Sequence, residues 1–369
     1  MRFTFVAPRF HTNFYYLTKV LIDHGHEVRF LSLYQGGSEN HDLVRPQILG
    51  YSPLFKWWNK FRNPRGGKLI KNQYELRYGF PPVIGFLKAL VIGRSEVVVV
   101  KDVVTTYSLM ALVFGRLVGA RLIVLAQIPK YRSRFKSGAV KWAWILFRAQ
   151  VITPVEGHSE FANHNQNLHY LPFVHPQMVK EKNFSSEAVK ILCVGKFQTR
   201  KNQLLLTQAV NDLKRRHKVE LLLVGQTDEK DYFSKLMNYI GENQLVSMVT
   251  VINDLPWKQM PELYRQSDVF VLPSYADAAA YSVVEAMAYG LPVISSDDNG
   301  TSCYIKPGEN GYVFRYDDLG DLIKKLEVTI GDRNELLRMS QKSLEFVGQF
   351  HNPEKFYSAL MKIISTHHG

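Results

Sequence analysis

Cysteine is nearly absent. Cys193 and Cys303 are the only two in 369 residues, far apart in the chain. They build neither a disulfide framework nor a cysteine-rich zinc site. Acid is missing from one long stretch: between Arg45 and Arg94, ten Lys and Arg residues face a single acid, Glu75. No apolar run is long enough to span a bilayer, because the best one, 105–126, is broken by Arg116 and Arg121. The opening run RFTFV stops at Pro8 and Arg9, too short for the core of a secretory leader, so a soluble protein of a reducing compartment is expected. No Asp-x-Asp triplet occurs, which leaves no evident metal–diphosphate clamp. No Gly-x-Gly-x-x-Gly follows the first strand candidate, which argues against a dinucleotide dehydrogenase.

What is present is a globular composition, 46% hydrophobic and 21% charged, which excludes disorder, collagen and coiled coil. At roughly 100–200 residues per domain the length suggests two domains. The net charge of +13 is unevenly placed. Residues 1–185 hold 25 basic and 10 acidic side chains, and the remainder 21 and 23. The whole excess therefore belongs to the N-terminal half. An anionic partner is implied: nucleic acid, an anionic membrane or a phosphorylated substrate.

Along the chain, RFTFV, the periodic FYYLTKVLIDHG and HEVRFLS read as strand, helix and strand, with Gly25 suited to a left-handed helix end. The stretch 45–94 reads as irregular. EVVVV, LMALVFGRLVG and RLIVLAQ then repeat the pattern, followed by VITP, a helix-length SEFANHNQ and the short LHYLPF. The polar residues 174–189 read as a linker. Beyond it come KILCVGKF, a helix over 201–217, VELLLVG, a helix over 228–243, MVTVIND, a helix near Pro261, DVFVLPS, a helix over 282–290, and PVISS. Apolar runs without alternation fit parallel strands covered on both faces. The fold class is therefore α/β, with two doubly wound parallel sheets, and ligands are expected at the carboxyl ends of the strands.

Three of those ends carry chemistry. Lys196, Arg200 and Lys201 follow KILCVG and open onto a helix, a combination that suits a phosphate and equally suits a solvated loop. Gly225 closes LLLVG. Asp277 and Glu285 are eight apart after VLPS; by itself Glu285 also reads as a first-turn carboxylate stabilised by the helix dipole. In the first loop of the chain, His11 is a candidate acid/base or acceptor contact, or simply a loop histidine near water.

Taken together, VGKFQTRKN, LLLVG, VFVLPS, VVEAMAYGLPVIS and NGYVF resemble the second domain of glycosyltransferase family 4, over roughly 190–314. DHGHEVRFLS is similar to that family's first β–α–β unit. These are nucleotide-sugar-dependent retaining enzymes of the GT-B fold, here of the bacterial surface-polysaccharide type. The resemblance implies two Rossmann-like domains facing across a cleft. Residues 1–180 would bind acceptor, with 352–369 packed back on them, and 181–351 would bind the nucleotide sugar. It puts the phosphate-binding basic pair on Lys196 and Lys201, the donor-sugar contact on Asp277 and the ribose contact on Glu285. Gly195, Gly225, Asn299, Gly300 and Thr301 would line the donor, and His11 would join the catalytic set.

The chain departs from the family in several places. Lys196 replaces the usual arginine, Ala278-Ala279-Ala280 replaces a Gly-Phe pair, and the loop 299–303 lacks its usual glutamate. Arg9-Phe10-His11-Thr12-Asn13 stands where a glycine-rich loop is usual, and Gln127 where many members have histidine. The implied activity moves a sugar from a UDP- or GDP-sugar to a lipid-linked or surface-polysaccharide acceptor, such as an O-antigen, capsule or lipopolysaccharide precursor. It needs no cofactor beyond this co-substrate and no metal. A GT-B nucleotide-sugar epimerase is the alternative. Nucleic acid is not expected as a partner, because the second half is acidic.

The basic stretch gains a meaning in this setting. Phe55-Lys56-Trp57-Trp58-Asn59-Lys60-Phe61-Arg62 continues to Arg65, Lys68 and Lys71, and a second stretch runs from Lys130 through Lys136 to Lys141-Trp142-Ala143-Trp144. Tryptophan beside lysine suits the interface of an anionic membrane. A solvated basic face with its tryptophans in the core is the other reading. A cytoplasmic protein peripheral at the inner face of the cytoplasmic membrane is expected. The chain ends on a predicted helix from Pro353 with the stripe Phe356, Leu360, and Ile363 or Ile364.

Overall fold

The structure, a computed structural model, describes residues 1–36, 39–62, 77–103, 105–127, 134–157 and 167–366. The expected helix SEFANHNQ lies outside the described residues, as do Arg65, Lys68, Lys71 and Lys130 to Ser133. The chain divides into two compact units: 1–172 with 354–369, and 173–353.

The first unit is a parallel sheet of seven strands. They are β1 (Arg2–Val6), β2 (Glu27–Ser32), β3 (Gln47–Ile48), β4 (Val97–Lys101), β5 (Arg121–Leu125), β6 (Gln150–Thr153) and β7 (Leu168–Tyr170). Their order is β3-β2-β1-β4-β5-β6-β7, so the sheet changes direction of growth between β1 and β4. Alternating residues of β1 serve two faces. Phe5 meets Phe14 and Phe30, whereas Val6 joins a core with Phe86, Leu90, Leu112, Val124 and Val151. The terminal helix Pro353–Ser365 belongs to this unit from Glu354 onward and buries Phe356, Leu360, Ile363 and Ile364. Its Tyr357 ring stacks on His24 at 3.6 Å, and its hydroxyl bonds His26 Nε2 at 2.9 Å.

Two expectations change in this unit. The described part of 45–94 is not irregular: it holds the helices Pro53–Arg62 and Val83–Ile92. Each buries one pair four residues apart, Phe55 with Asn59 and Phe86 with Leu90, an inward face too narrow to register as periodicity. The tryptophans are not core: Trp57, Trp58 and Trp142 are exposed. Among the described residues no helix is long and apolar enough to cross a membrane.

The second unit has six parallel strands, β8 (Val189–Val194), β9 (Val219–Gly225), β10 (Val249–Asn253), β11 (Val269–Leu272), β12 (Val293–Ser296) and β13 (Gly311–Phe314), in the order β10-β9-β8-β11-β12-β13. Its direction of growth changes between β8 and β11. The residues read as a linker fold into this unit. Lys182 donates to the carbonyls of Tyr264 and Arg265, and the His175 amide donates to the His351 carbonyl. The two buried polar side chains there, His175 and Lys182, complete internal hydrogen bonds, while Lys180, Glu181 and Glu187 meet water.

Candidate active site

Doubly wound sheets bind ligands where the growth direction reverses, at the carboxyl ends of the two flanking strands. In the second unit these are the loops after β8 and β11. The first runs through Gly195 and Lys196 into a short 3-10 turn, Thr199–Lys201; Asn202 is left-handed at φ 52°, and the helix Gln203–Leu213 begins after it. Lys201 therefore lies ahead of the helix, not in it. The turn folds its side chain back over Gly195, where a Cβ would come within 3.3 Å of the lysine chain. From there Lys201 Nζ donates to Asp277 Oδ2, and Arg200 Nη1 lies 3.3 Å from Oδ1 of the same carboxylate. The Lys201 side chain is 12% exposed and that of Asp277 9%. Burial pushes the Asp277 carboxyl up, but the Lys201 ammonium and then Arg200 outweigh it and hold it below its ordinary range.

Lys196 takes another direction. Its ammonium pairs with Asp228 at 3.0 Å on the surface, while Glu229 accepts from the Thr199 amide at 2.9 Å and hydroxyl at 2.5 Å. The cation beside Lys201 on Asp277 is Arg200. Gln203, fully buried, fixes the loop from beneath, donating to the carbonyls of Gly195 and Lys196 at 3.1 and 3.0 Å. Gly225 is required by packing: a Cβ there would lie 2.0 Å from the Gly195 carbonyl oxygen.

Asp277 is held by the neighbouring loop. Its amide donates to the Asp298 carbonyl and its carbonyl accepts from the Gly300 amide, at 3.2 and 2.9 Å. The side chains of Asn299 and Thr301 are turned inward. Asn299 Oδ1 accepts from the Thr301 amide and hydroxyl at 3.1 and 2.9 Å, capping the turn Gly300–Tyr304, and Asn299 Nδ2 donates to Ser295. These bonds make 299–301 the scaffold under Asp277.

Glu285 stands in the second turn of the helix Tyr281–Ala288, so the first-turn dipole reading fails. Burial pushes its carboxyl up to about 7, against the opposing pull of the Tyr264 hydroxyl, which donates to Oε2 at 3.1 Å. Tyr264 in turn stacks on Tyr289 at 5.3 Å. Arg200, Gln203 and Tyr264 were not singled out as site residues. Arg200 stood in the three-cation loop, but nothing in the sequence marks Tyr264.

His11 lies in the first unit, after β1 and beside its own reversal point. Arg9 Nε donates to His11 Nε2 at 3.3 Å, and Arg9 Nη1 lies 3.4 Å from Glu39, which also meets His41 at 3.2 Å. At the end of β4, the Lys101 ammonium lies over the Phe14 ring at 5.9 Å, and the Lys101 carbonyl accepts from the Ser108 hydroxyl at 2.8 Å. Burial, and then the nearby Arg9 guanidinium, pushes its ammonium down to about 8.

Residues 175–346 match the family model of the glycosyl transferases group 1. The match spans nearly all of the second unit. A D-inositol 3-phosphate glycosyltransferase of Nocardia farcinica is 26% identical over 184 residues, 48% of this chain and 41% of that protein. The lipopolysaccharide core biosynthesis glycosyltransferase LpsE of Rhizobium meliloti is 26% identical over 183 residues, 49% of this chain and 51% of that protein. The chain thus matches about half the length or less of these relatives. The solved structure of Anabaena Alr3699/HepE in complex with UDP-glucose superposes with a TM-score of 0.73 at 14% identity, covering 99% of both chains. That likeness shows the fold: two parallel-sheet α/β domains of the GT-B class.

Proposed function

We propose that the protein is a retaining glycosyltransferase that moves a sugar from a UDP- or GDP-sugar to a lipid-linked or surface-polysaccharide acceptor. The observation that carries this reading is the closure of Lys201 and Arg200 on buried Asp277 at the reversal point of the second sheet. In the transfer, the bond from the anomeric carbon to the diphosphate breaks and the nucleoside diphosphate leaves with the electron pair. The acceptor hydroxyl oxygen bonds to the anomeric carbon and gives up its proton to the departing diphosphate oxygen. Lys201 and Arg200 are the cations that meet the developing negative charge, Lys201 the more strongly because its side chain is largely buried. Asp277, freed from them, orients the sugar hydroxyls, and Glu285 holds the ribose. Because these cations carry the charge, transfer is expected to run in EDTA.

On the acceptor side, Arg9 and Lys101 at the reversal point of the first sheet fit a phosphoryl or carboxylate group, with His11 beside them. The name of the Rhizobium relative supports a lipopolysaccharide-type acceptor. Both relatives carry transferase names, which favours transfer over the epimerase reading. The exposed tryptophans and lysines of Pro53–Arg62 support a cytoplasmic enzyme peripheral at an anionic membrane. Thermal shift against a panel of nucleotide sugars tests the donor assignment. A ligand at 100 times its Kd stabilises by about 2.7 kcal/mol, a shift of several degrees. A panel in which no UDP- or GDP-sugar moves the melting temperature overturns the reading.

A further inference from the structure

Three helices of the first unit lie side by side on one face of its sheet: Val83–Ile92 packs beside Thr106–Leu117, which packs beside Arg134–Phe147. Phe86, Leu90, Tyr107, Leu112 and Ala143 turn inward to the core. The outer surface should then be polar, as on an ordinary amphipathic helix. Here it is apolar. Ile84 is 82% exposed, Leu117 72% and Leu146 60%, and Ile92, Leu109 and Trp142 are exposed with them. None of the three helices contains an Asp or a Glu, although Lys88, Arg116 and Lys141 are exposed on them. The second unit, by contrast, exposes few large apolar side chains, and its helices carry acids throughout.

We infer that this three-helix face is the surface by which the first unit seats itself in an anionic lipid bilayer; the inference rests on the membrane reading above and names its docking surface. The charge identifies the occupant. An apolar row edged only by cations complements anionic headgroups over an acyl boundary. A second copy of the chain would bring the same cations against themselves in a symmetric contact. The exposed Leu54, Trp57 and Phe61 of Pro53–Arg62, with Lys56 and Lys60, repeat the same composition. In this arrangement the outer row supplies the part of binding that salt does not screen, and the lysines supply the part it does.

The test compares wild type with the triple variant Ile84→Glu, Leu117→Glu, Leu146→Glu. All three sites are exposed, so the thermal melt and the response to nucleotide sugars should be unchanged in the variant. The probe is flotation with vesicles of phosphatidylcholine and phosphatidylglycerol in equal parts, at about 0.1 M and 1 M salt, where screening lengths are about 10 and 3 Å. Wild type should bind at low salt and retain a fraction at high salt. The variant should lose about a hundredfold in partition and most of the fraction retained at high salt, because three buried apolar contacts are exchanged for like-charge repulsion. A variant that floats like wild type overturns this docking face and leaves the membrane reading standing. Wild type that ignores the vesicles at low salt overturns both. Wild type that instead sediments as a dimer, dissociated by the same substitutions, assigns the face to self-association.

Discussion

Lys201 donates to Asp277 across the reversal point of the second sheet, and Arg200 takes the other oxygen of the same carboxylate. Two cations on one buried carboxylate make a closed site, which a diphosphate opens by exchange. The anion to be bound is more highly charged than Asp277, so the cations have more to gain from it than from the carboxylate. Release leaves Asp277 facing whatever the diphosphate carries.

Lys201→Ala should lower kcat/KM by about 10²–10³-fold, the loss typical of removing one preorganised electrostatic donor. It should also cost stability, about 1–3 kcal/mol, because Asp277 stays buried with Arg200 alone. Asp277→Asn separates the two roles. It frees both cations, so the nucleoside diphosphate should bind several-fold tighter while transfer falls. Titration calorimetry with UDP or GDP, beside initial rates, reads both. Weaker diphosphate binding in Asp277→Asn would show that the carboxylate organises the cations instead of competing for them.

Glu285 gives a prediction with opposite signs for stability and binding. Its carboxyl is raised by burial from 4.5 to about 7. Folding therefore holds a proton that the unfolded chain releases above pH 4.5. The stabilising effect is fully present below about pH 4.5 and is lost as pH rises to 7. At pH 8 the ionised group costs on the order of 3 kcal/mol. Glu285→Gln should then melt higher than wild type at pH 8, with the gap closing toward pH 4.5, and should bind nucleotide sugar more weakly. Donor affinity of wild type should rise as pH passes 7, where the ribose contact gains its full acceptor charge; the variant should show no such rise. A variant that loses stability at pH 8 would remove the claim that Glu285 is kept for binding.

Gly225→Ala tests the close approach of β8 and β9. Its Cβ would fall 2.0 Å from a backbone oxygen that cannot swing aside. The strands must part, at a cost of about 3 kcal/mol or more, as for other overpacked sites. Chemical denaturation should show the midpoint falling with an unchanged slope. A loss under 1 kcal/mol would mean that the loop after β8 yields easily, and with it the placement of Lys201.

The strands were legible because both faces of each sheet are covered, which turns them into uninterrupted apolar runs such as EVVVV and VELLLVG. Lys201, Asp277 and Glu285 stood out as candidates because each follows such a run at a strand end or on the next helix, and their roles came from the family resemblance. The partners were not legible. That Arg200 meets Lys201 on Asp277 depends on a 3-10 turn and a left-handed Asn202, which a run of polar residues does not reveal. Tyr264 reaches Glu285 from another helix, Met260–Gln266, a contact that only the packing defines. Asn299 and Thr301 look like ligand contacts in a loop, yet their polar atoms close on each other. The helices within 45–94 escaped because apolar residues occupy outward positions too, Trp57 and Phe61 in the first and Ile84 and Ile92 in the second, which erases the polar face that marks an amphipathic helix.

The acid side of the stability profile should be set by two histidines of the second unit. His351 Nδ1 bonds the Phe173 carbonyl at 2.5 Å and its ring meets Tyr304 edge-on at 4.7 Å; His175 Nδ1 bonds the Pro176 carbonyl at 2.7 Å. Burial pushes both down from 6.5 to about 4. As pH falls below 6.5 the unfolded chain takes up two protons that the folded chain refuses, so their stabilising effect is present above 6.5 and lost toward pH 4. Glu285 works the other way over pH 4.5–7, since there the folded chain holds one proton that the unfolded chain does not. Among these three groups, two against one gives a fall of about 1.4 kcal/mol per pH unit on acidification between pH 4.5 and 6.5. His351→Gln removes one of the two, so its stability should be lower throughout but nearly level across that window. Urea unfolding at pH 4.5, 5.5 and 6.5 measures the slope apart from the offset. A variant that keeps the wild-type slope would show that His351 titrates normally in the fold, and that the contact between residues 173–176 and His351 opens to solvent.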